Sequence, residues 1–489
     1  MGTRLAGEPF EPLDLTLPDV LDRAARGAFI DGDDVVSYSE VAQRSRRLAS
    51  WFVAEGVEPG DRVALLASNR AEFVVAHYAA ARAGAIVVPL STRATAAELH
   101  RVLAHGQCSL ALVEEEFKGH RFLDTFASLR GQLPSLRHVE PLAGLDDLKA
   151  TREVETPAIS ATEPTLLIYT SGTTGEPQGC LHAHRSYVSN ASMTARLKAL
   201  TPEDRIVASV PFFNAFGIVN CVLEGLISGA SVVIQPTFDP AETLRLIEEH
   251  RVTVLLGTPT MWIRLLEHPD FSKRDLSSLR TGTMAGAPAP AEVVDRWRDL
   301  GCELVLIYGL SEATSILANG RPTPGIEVET TSDGELRARG YNQMIRYYKN
   351  DVATRDRIRD GWIHTGDLAE IRDGDVRVLG RSDDMLIVGG FNIQPAEVEE
   401  ALRMHEGVAD AAVFGFPDGD LGEVPLAWVI RRPGASVDQA QLLAASRLRL
   451  ASYKLPREIT FVEEFPLTAN GKVQRFRMRE TMLARRDST

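Results

Sequence analysis

The stretch RVALLASNRAEFVVAHYAAARAGAIVVPL, Arg62 to Leu90, decides the fold class. A short apolar run, RVALLA, is followed by a helical pattern that ends at a glycine and then by a second apolar run, IVVPL. That is the order of a strand, a crossover helix and a parallel strand. It returns where SVVIQ (Ser231 to Gln235), AETLRLIEEH and VTVLL (Val252 to Leu256) succeed one another, and again where PAEVVDRWRDLG leads into LVLIY. Units alternating in this way predict an α/β fold, with parallel sheets covered by helices on both faces.

Beyond about Arg321 the pattern changes. GIEVETTSDGELRARG and AEIRDGDVRVLG alternate over short runs punctuated by Asp-Gly pairs, which predicts small antiparallel pieces and a β-barrel-like part. After RSDDMLIVGG, the segment PAEVEEALRMH reads as a Pro-started amphipathic helix, AAVFGF and AWVIRR as strands, and QLLAASRLRLAS as a helix. A large N-terminal domain over 1–382 and a small α+β C-terminal domain over 383–489 are therefore expected.

A chain of 489 residues exceeds what one hydrophobic core usually serves, in agreement with that division. The net charge of −14 disfavours general binding to nucleic acid or to an anionic membrane, while leaving room for a local basic pocket. Four cysteines, Cys108, Cys180, Cys221 and Cys302, have no paired spacing, so neither a disulfide framework nor a zinc site is indicated, and a reducing cytoplasm fits best. No targeting segment is expected from the reading of the first residues, MGTRLAGEPFEPLDL, which hold no apolar signal core. Ile206 to Leu223 is uncharged over roughly the length of a membrane-spanning helix, but Pro211, Asn214, Gly217 and Asn220 interrupt it. A strand, a turn and a buried helix are expected there.

Directly behind the apolar run TLLIY stands TSGTTGEPQG, Thr170 to Gly179. Ser171, Thr173 and Thr174 offer hydroxyl donors, and Gly172, Gly175 and Gly179 let backbone amides approach an anion. Phosphate is the natural guest. The spacing is not that of the common nucleotide loop, which ends in Gly-Lys-Ser/Thr.

TSGTTG after an apolar strand resembles the signature of the adenylate-forming superfamily, in particular its acyl-CoA synthetase branch. YGLSEAT (Tyr308 to Thr314), GWIHTGD (Gly361 to Asp367), GRSDDMLIVGGFNIQPAEVE (Gly380 to Glu399) and PLTANGKVQR (Pro466 to Arg475) resemble later signatures of that family in its own order. The resemblance implies an AMP-forming ligase that joins a carboxylic acid to ATP as an acyl-adenylate and passes the acyl group to the thiol of coenzyme A. It also implies site residues. The ATP site would be formed by Thr170, Ser171, Gly172, Thr173, Thr174 and Gly175 of the loop, by Gly286, Ala287 and Pro288, and by Tyr308, Gly309 and Ser311. Asp367 would hold the ribose hydroxyls, and Arg381 would add charge-assisted bonds to ribose or phosphate. Glu312 would hold Mg²⁺, and Lys472 would stabilise charge as the carboxylate attacks. Phe213, Asn214 and Gly309 would line the acid pocket, Asp383 would be the hinge of a mobile small domain, and Gly389, Gly390 and Phe391 would border the path of CoA.

Two positions depart from the family. Relatives often read Pro-Lys-Gly where this chain has Pro177, Gln178 and Gly179, so a weaker grip on ATP or slower adenylation is expected here, with Mg²⁺ at Glu312, Arg381 and Lys472 supplying the remaining charge. Asn214 stands where many acyl-CoA synthetases place a histidine, and it offers no charge to pair with a substrate ammonium. With Phe212, Phe213, Phe216, Ile218 and Trp262 nearby in sequence, an apolar or aromatic acid is favoured, although those side chains equally suit a core. The expected partners are the acid, ATP and CoA. An acyl carrier protein is the alternative acceptor, served by the basic cluster Arg447, Arg449, Lys454 and Arg457, and a homodimer stays open. No nucleic acid and no membrane span are expected. A nucleotide-binding protein that has lost catalysis is the reading from a different class.

Overall fold

Arg62–Leu66 and Ile86–Leu90 are strands paired in parallel, with the helix Ala71–Arg82 as their crossover. All of that helix except Glu72 is buried, which accounts for its run of alanines: small side chains let it pack closely on the helix Tyr38–Ala54 at little entropic cost. Gly84 follows at φ +72°, a left-handed turn that returns the chain to the sheet. The structure, a computed structural model, describes residues 3–148, 155–170, 178–382, 384–388, 391–418, 421–467 and 473–487.

Two compact units emerge, the larger comprising 5–328 and 338–363 and the smaller 1–4, 329–337 and 364–489. The large unit holds two large sheets. In the seven-stranded one the order is Arg346–Tyr347, Gln178–Ala183, Pro164–Thr170, Ile86–Leu90, Arg62–Leu66, Leu110–Val113 and His138–Pro141. The nine-stranded one has a parallel centre formed by Glu303–Tyr308, Thr281–Ala285, Val254–Gly257, Arg205–Ala208, Ser231–Ile234 and Ala28–Asp31. The expectation of parallel sheets holds for these centres but not for the edges. Gln178–Ala183 and Arg346–Tyr347 join antiparallel at one edge, and Asp34–Ser37 and Leu317–Ala318 do so in the other sheet. The Asp34–Ser37 strand returns through a tight turn at Gly32, φ +62°, which is too short for a crossover helix.

The small unit has a five-stranded sheet built on the long hairpin Val408–Asp418 and Gly422–Arg431, with Glu458–Phe461 added in parallel. Val398 and Leu402 of the helix Pro395–Arg403 pack with Val413, Val429 and Ile459 on one side, and Phe414 and Trp428 pack with Met478 and Met482 on the other. It is the α+β module read from the sequence. The strands Trp362–Arg372 and Asp375–Arg381, which the Asp-Gly turn predicted, lie in an open six-stranded sheet and not in a closed barrel. Among the described residues, no helix is long and apolar enough to cross a membrane. Ile206 to Leu223 folds instead as the strand Arg205–Ala208, a turn, and a buried helix over Gly217–Leu223.

Candidate active site

In an open α/β sheet, ligands settle beyond the carboxyl ends of the parallel strands. At that end of the nine-stranded sheet, Ala285 pairs with Ile307, so the segments that follow them, Gly286–Ala287–Pro288 and Tyr308 to Glu312, leave the sheet side by side. Gly286 (φ +89°), Ala287 and Pro288 are exposed, Tyr308 is half-buried and Gly309 is exposed. The second segment doubles back at once, with Leu310 N–H donating to Ala313 O at 2.8 Å and Ile316 N–H to Tyr308 O at 2.7 Å. A Cβ on Gly309 would lie 2.7 Å from Ser315 N, so only glycine fits that reversal.

Glu312 is buried at the tip of this loop, and its Oε1 accepts from Tyr347 OH at 2.5 Å and from Arg357 Nη2 at 2.7 Å. Burial alone would raise its carboxyl; the charge of Arg357 and the hydrogen bonds from Tyr347 and Arg357 outweigh burial and hold it below its ordinary value. The same loop is tied to the seven-stranded sheet once more, where His182 Nε2–H donates to Ser311 O at 2.7 Å, and Met344 N–H, just before the strand Arg346–Tyr347, donates to Glu312 O at 2.7 Å. Tyr347 sits opposite Cys180, whose buried thiol is pushed up by burial and by the Glu312 charge. Tyr347, Arg357 and His182 were not read from the sequence. They lie 35, 45 and 129 residues away from their partners, beyond any local pattern.

Phe213 and Asn214 belong to the turn after the Arg205–Ala208 strand. Asn69 pins that turn: its Nδ2 donates to Ala208 O and Val210 O at 3.0 and 2.9 Å, and its Oδ1 accepts from Phe212 N–H at 2.7 Å. Asn214 Oδ1 takes the N–H of Gly217 at 3.1 Å, so the side chain closes the first turn of the following helix while remaining half-exposed. Phe213 is buried. Phe212 and Trp262 are fully buried, Trp262 edge-on to Trp297, and these two belong to the core and not to a pocket.

Thr170 and Gln178 face each other across the antiparallel strands that carry the two ends of the glycine-rich loop. Gly179 is required there, because a Cβ would come within 2.7 Å of Leu167 Cδ1 and 3.2 Å of the Tyr169 ring. Ser171, Gly172, Thr173, Thr174 and Gly175 lie outside the described residues, as do Asp383, Gly389, Gly390 and Lys472 and the side chains of Thr170 and Phe391.

In the small unit Asp367 and Arg381 are paired across two strands. Asp367 is buried, and Arg381 Nε stands 3.8 Å from its Oδ1 while Nη1 donates to Thr365 O at 3.2 Å. The guanidinium lies against Gly366 (φ +70°), where a Cβ would be 3.1 Å from Nη2. Glu335, which the sequence reading missed, holds this segment by accepting Gly366 N–H at 2.9 Å and bonding His364 Nδ1 at 2.8 Å. Of the basic cluster, Lys454 is paired with Glu397 at 2.7 Å and Arg457 with Asp418 at 2.6 Å.

Among the described residues no group of three or more His, Cys, Asp or Glu side chains is arranged to hold a metal ion. Glu312 is the candidate for a site of the other kind, in which one carboxylate and the phosphates of a substrate share the cation. Its bonds from Tyr347 and Arg357 both fall on Oε1, which leaves Oε2 without a side-chain partner among the described residues. That donor set fits Mg²⁺.

Residues 20–348 match the AMP-binding enzyme family, and residues 397–472 match the AMP-binding enzyme C-terminal domain. The (7a-methyl-1,5-dioxo-octahydro-1H-inden-4-yl)propanoyl:CoA ligase of Mycobacterium tuberculosis is 39% identical over 505 residues, 95% of this chain and 98% of that protein. The crystal structure of the anthranilate CoA ligase AuaEII with anthranoyl-AMP superposes with a TM-score of 0.88 at 28% identity, covering 96% of this chain and 98% of the other. ATP-bound MatB from Rhodopseudomonas palustris follows at 0.87 and 28%, covering 96% and 99%.

Proposed function

The chain belongs to the AMP-binding enzyme family, and from that premise we propose that it is an ATP-dependent, AMP-forming acid:CoA ligase acting on a ring-bearing, largely apolar carboxylic acid. Ring-bearing acids in the names of two similar proteins support the acid class, and the uncharged Asn214 agrees with it. The observation that carries the reading is the convergence at one sheet end of Gly286–Pro288, Tyr308–Gly309 and an ionised, buried Glu312.

The reaction has two halves. A carboxylate oxygen of the acid attacks the α-phosphorus of ATP, the bond to the β-phosphate breaks, and pyrophosphate leaves. The CoA thiol then gives up its proton, its sulfur attacks the acyl carbon, and AMP departs. Tyr308 and the Gly286–Pro288 segment would enclose the adenine, and Asp367 would accept the ribose hydroxyls, with Arg381 beside it. Glu312 would hold Mg²⁺ through Oε2, and the ion, when bound, would offset charge on the polyphosphate. Thr170, the loop residues Ser171 to Gly175, and Ser311 would surround the phosphates. Lys472 would stabilise charge in the first half-reaction. Phe213, Asn214 and Gly309 would border the acid. Asp383 would be the hinge between domains 1–382 and 383–489, and Gly389, Gly390 and Phe391 would flank the thiol's path in the second half.

Four buried free cysteines suit a reducing compartment, and the cytoplasm is the proposed location. CoA is the proposed acceptor, with an acyl carrier protein as the alternative; a second copy of the chain is left to solution measurement. Pyrophosphate release with ATP across aliphatic and ring-bearing acids, with CoA or carrier protein supplied separately, tests the proposal. Thioester formed with CoA is expected. ATP binding without acyl-adenylate from any acid would overturn it.

A further inference from the structure

Asn214, Ala215 and Phe216 are half-exposed, so the start of the helix that follows Asn214 borders open space at the proposed acid pocket. Phe216, Asn220 and Glu224 recur every four residues and follow one face of that helix inward. The helix His184–Leu197 runs beside it in the same direction. Asn220 Nδ2 lies 3.4 Å from Thr194 Oγ1, and four residues further along each chain segment Lys198 Nζ donates to Glu224 Oε1 at 2.9 Å. Lys198 also donates to Thr283 Oγ1 at 3.0 Å, which closes this seam against the strand Thr281–Ala285. Lys198 and Glu224 are fully buried.

The donors in the seam converge on one oxygen. Lys198 Nζ and Asn220 Nδ2 both bond Glu224 Oε1, while Glu224 Oε2 is buried with no partner among the described residues. Because a carboxylate only accepts, the bond from Asn220 fixes its amide with Nδ2 toward Glu224, and Oδ1 takes no hydrogen bond among the described residues. Both unmet atoms are acceptors. A buried carboxylate oxygen without a donor is costly, so whatever completes the seam must bring an N–H or O–H. A ketone, an ether or an apolar chain end cannot. Asn220 stands six residues past Asn214, about 9 Å at a helical rise. An acid with one ring spans a similar length from its carboxylate to a hydroxyl on the far side of that ring.

We propose that Asn220 and Glu224 are specificity-determining residues for the acid: Glu224 Oε2, with Asn220 Oδ1, accepts a hydrogen bond from a hydroxyl carried on the ring at the end away from the carboxylate. The inference rests on the adenylation reading above and narrows its acid class to hydroxylated ring acids. Lys198 and Thr283 are positioning residues, since they hold the Glu224 carboxylate against the sheet without facing the ligand.

The test uses the full chain and matched pairs of one- and two-ring acids, each pair carrying a hydroxyl or a fluorine at the ring position farthest from the carboxylate. Fluorine is close to a hydroxyl in size but has no hydrogen to donate, so the ratio of kcat/KM for pyrophosphate release within a pair isolates the bond. A hydrogen bond to a charged acceptor corresponds to about tenfold or more. The wild type is expected to favour the hydroxylated member by at least that factor in the pair that fits. Asn220→Leu and Glu224→Gln, with thermal melting recorded for both, are each expected to lower the ratio by about threefold or more, because they remove an acceptor or its charge. A purely structural role would slow both members of a pair alike, and a ratio unchanged in both variants overturns the proposal. So does a wild type that uses the fluorinated acid as well as the hydroxylated one, the result expected if water fills the seam. The wild-type ratio keeps the proposal falsifiable should either variant fail to fold. Absence of acyl-adenylate from every acid would instead sink the adenylation reading.

Discussion

Glu312 shows how a single side chain is made fit for charge chemistry. A buried carboxylate ordinarily tends to protonate, and here two donors from distant segments keep it ionised. Tyr347→Phe removes one of them while preserving shape. Because the lost bond goes to a charged group, about 1.5 to 3 kcal/mol is at stake. A drop of roughly tenfold in pyrophosphate release, with a lower melting temperature, is expected; unchanged kinetics would show that the phenol only fills space. Its electrostatic contribution is present above the ordinary carboxylate range and is lost as pH falls through the depressed value. Glu312, Asp367 and Arg381 are nominated from the sequence because each sits in a short ordered signature. Their keepers Tyr347, Arg357 and Glu335 were not, since the folded sheet edges alone bring them near.

Among the elements, the helix after Asn214 carries charge into the core. Over Gly217–Leu223 its bonds follow the wider i→i+5 spacing, and the next residue, Glu224, is fully buried with Lys198 at 2.9 Å. Asn220 Nδ2 donates to the same Glu224 oxygen at 2.6 Å, and Lys198 also reaches Thr283 Oγ1 at 3.0 Å in the strand that leads to Gly286. Glu224→Ala leaves a buried ammonium without its counter-ion, a loss of about 3 to 5 kcal/mol. Urea denaturation should register it as a lower midpoint at unchanged slope, whereas a shift under about 1 kcal/mol would mean that Lys198 finds water. The sequence announced strand, turn and buried helix in this region. The wide-turn geometry and the ion pair escaped it, because uncharged flanks gave no sign that Glu224 points inward.

For the whole molecule, three buried histidines contribute to the response to acid. Burial lowers His77 to about 3 and His182 and His184 to about 4, and His77 also feels His184. The unfolded chain protonates each near its ordinary value of about 6.5 while the folded one does not, so unfolding takes up protons below that pH. Stability should be insensitive to these groups above about pH 7 and fall by up to about 4 kcal/mol per pH unit between roughly pH 6 and 4. Denaturant melts at a series of pH values measure this, and a flat profile would mean the imidazoles are hydrated. The proposed hinge belongs to the same scale: Asp383→Pro, by fixing φ, should slow thioester formation well over tenfold while sparing acyl-adenylate formation, and equal slowing of both steps would remove Asp383 from that role. The passage from parallel to antiparallel pieces was readable because periodicity changes abruptly after Arg321; which strands close the edges was not, because antiparallel additions depend on turns of only a few residues.

The buried thiol opposite Tyr347 turns the architecture into its own gauge. Cys180 lies on the strand that follows the glycine-rich loop, and its buried thiol stands near the Glu312 clamp, sealed from bulk reagents. Alkylating agents should therefore modify it only when that seam parts, and its labelling half-time, resolved by peptide mass spectrometry, would clock local opening. Saturating nucleotide should lengthen that half-time; labelling as fast as that of a denatured control would mean the seam is never shut.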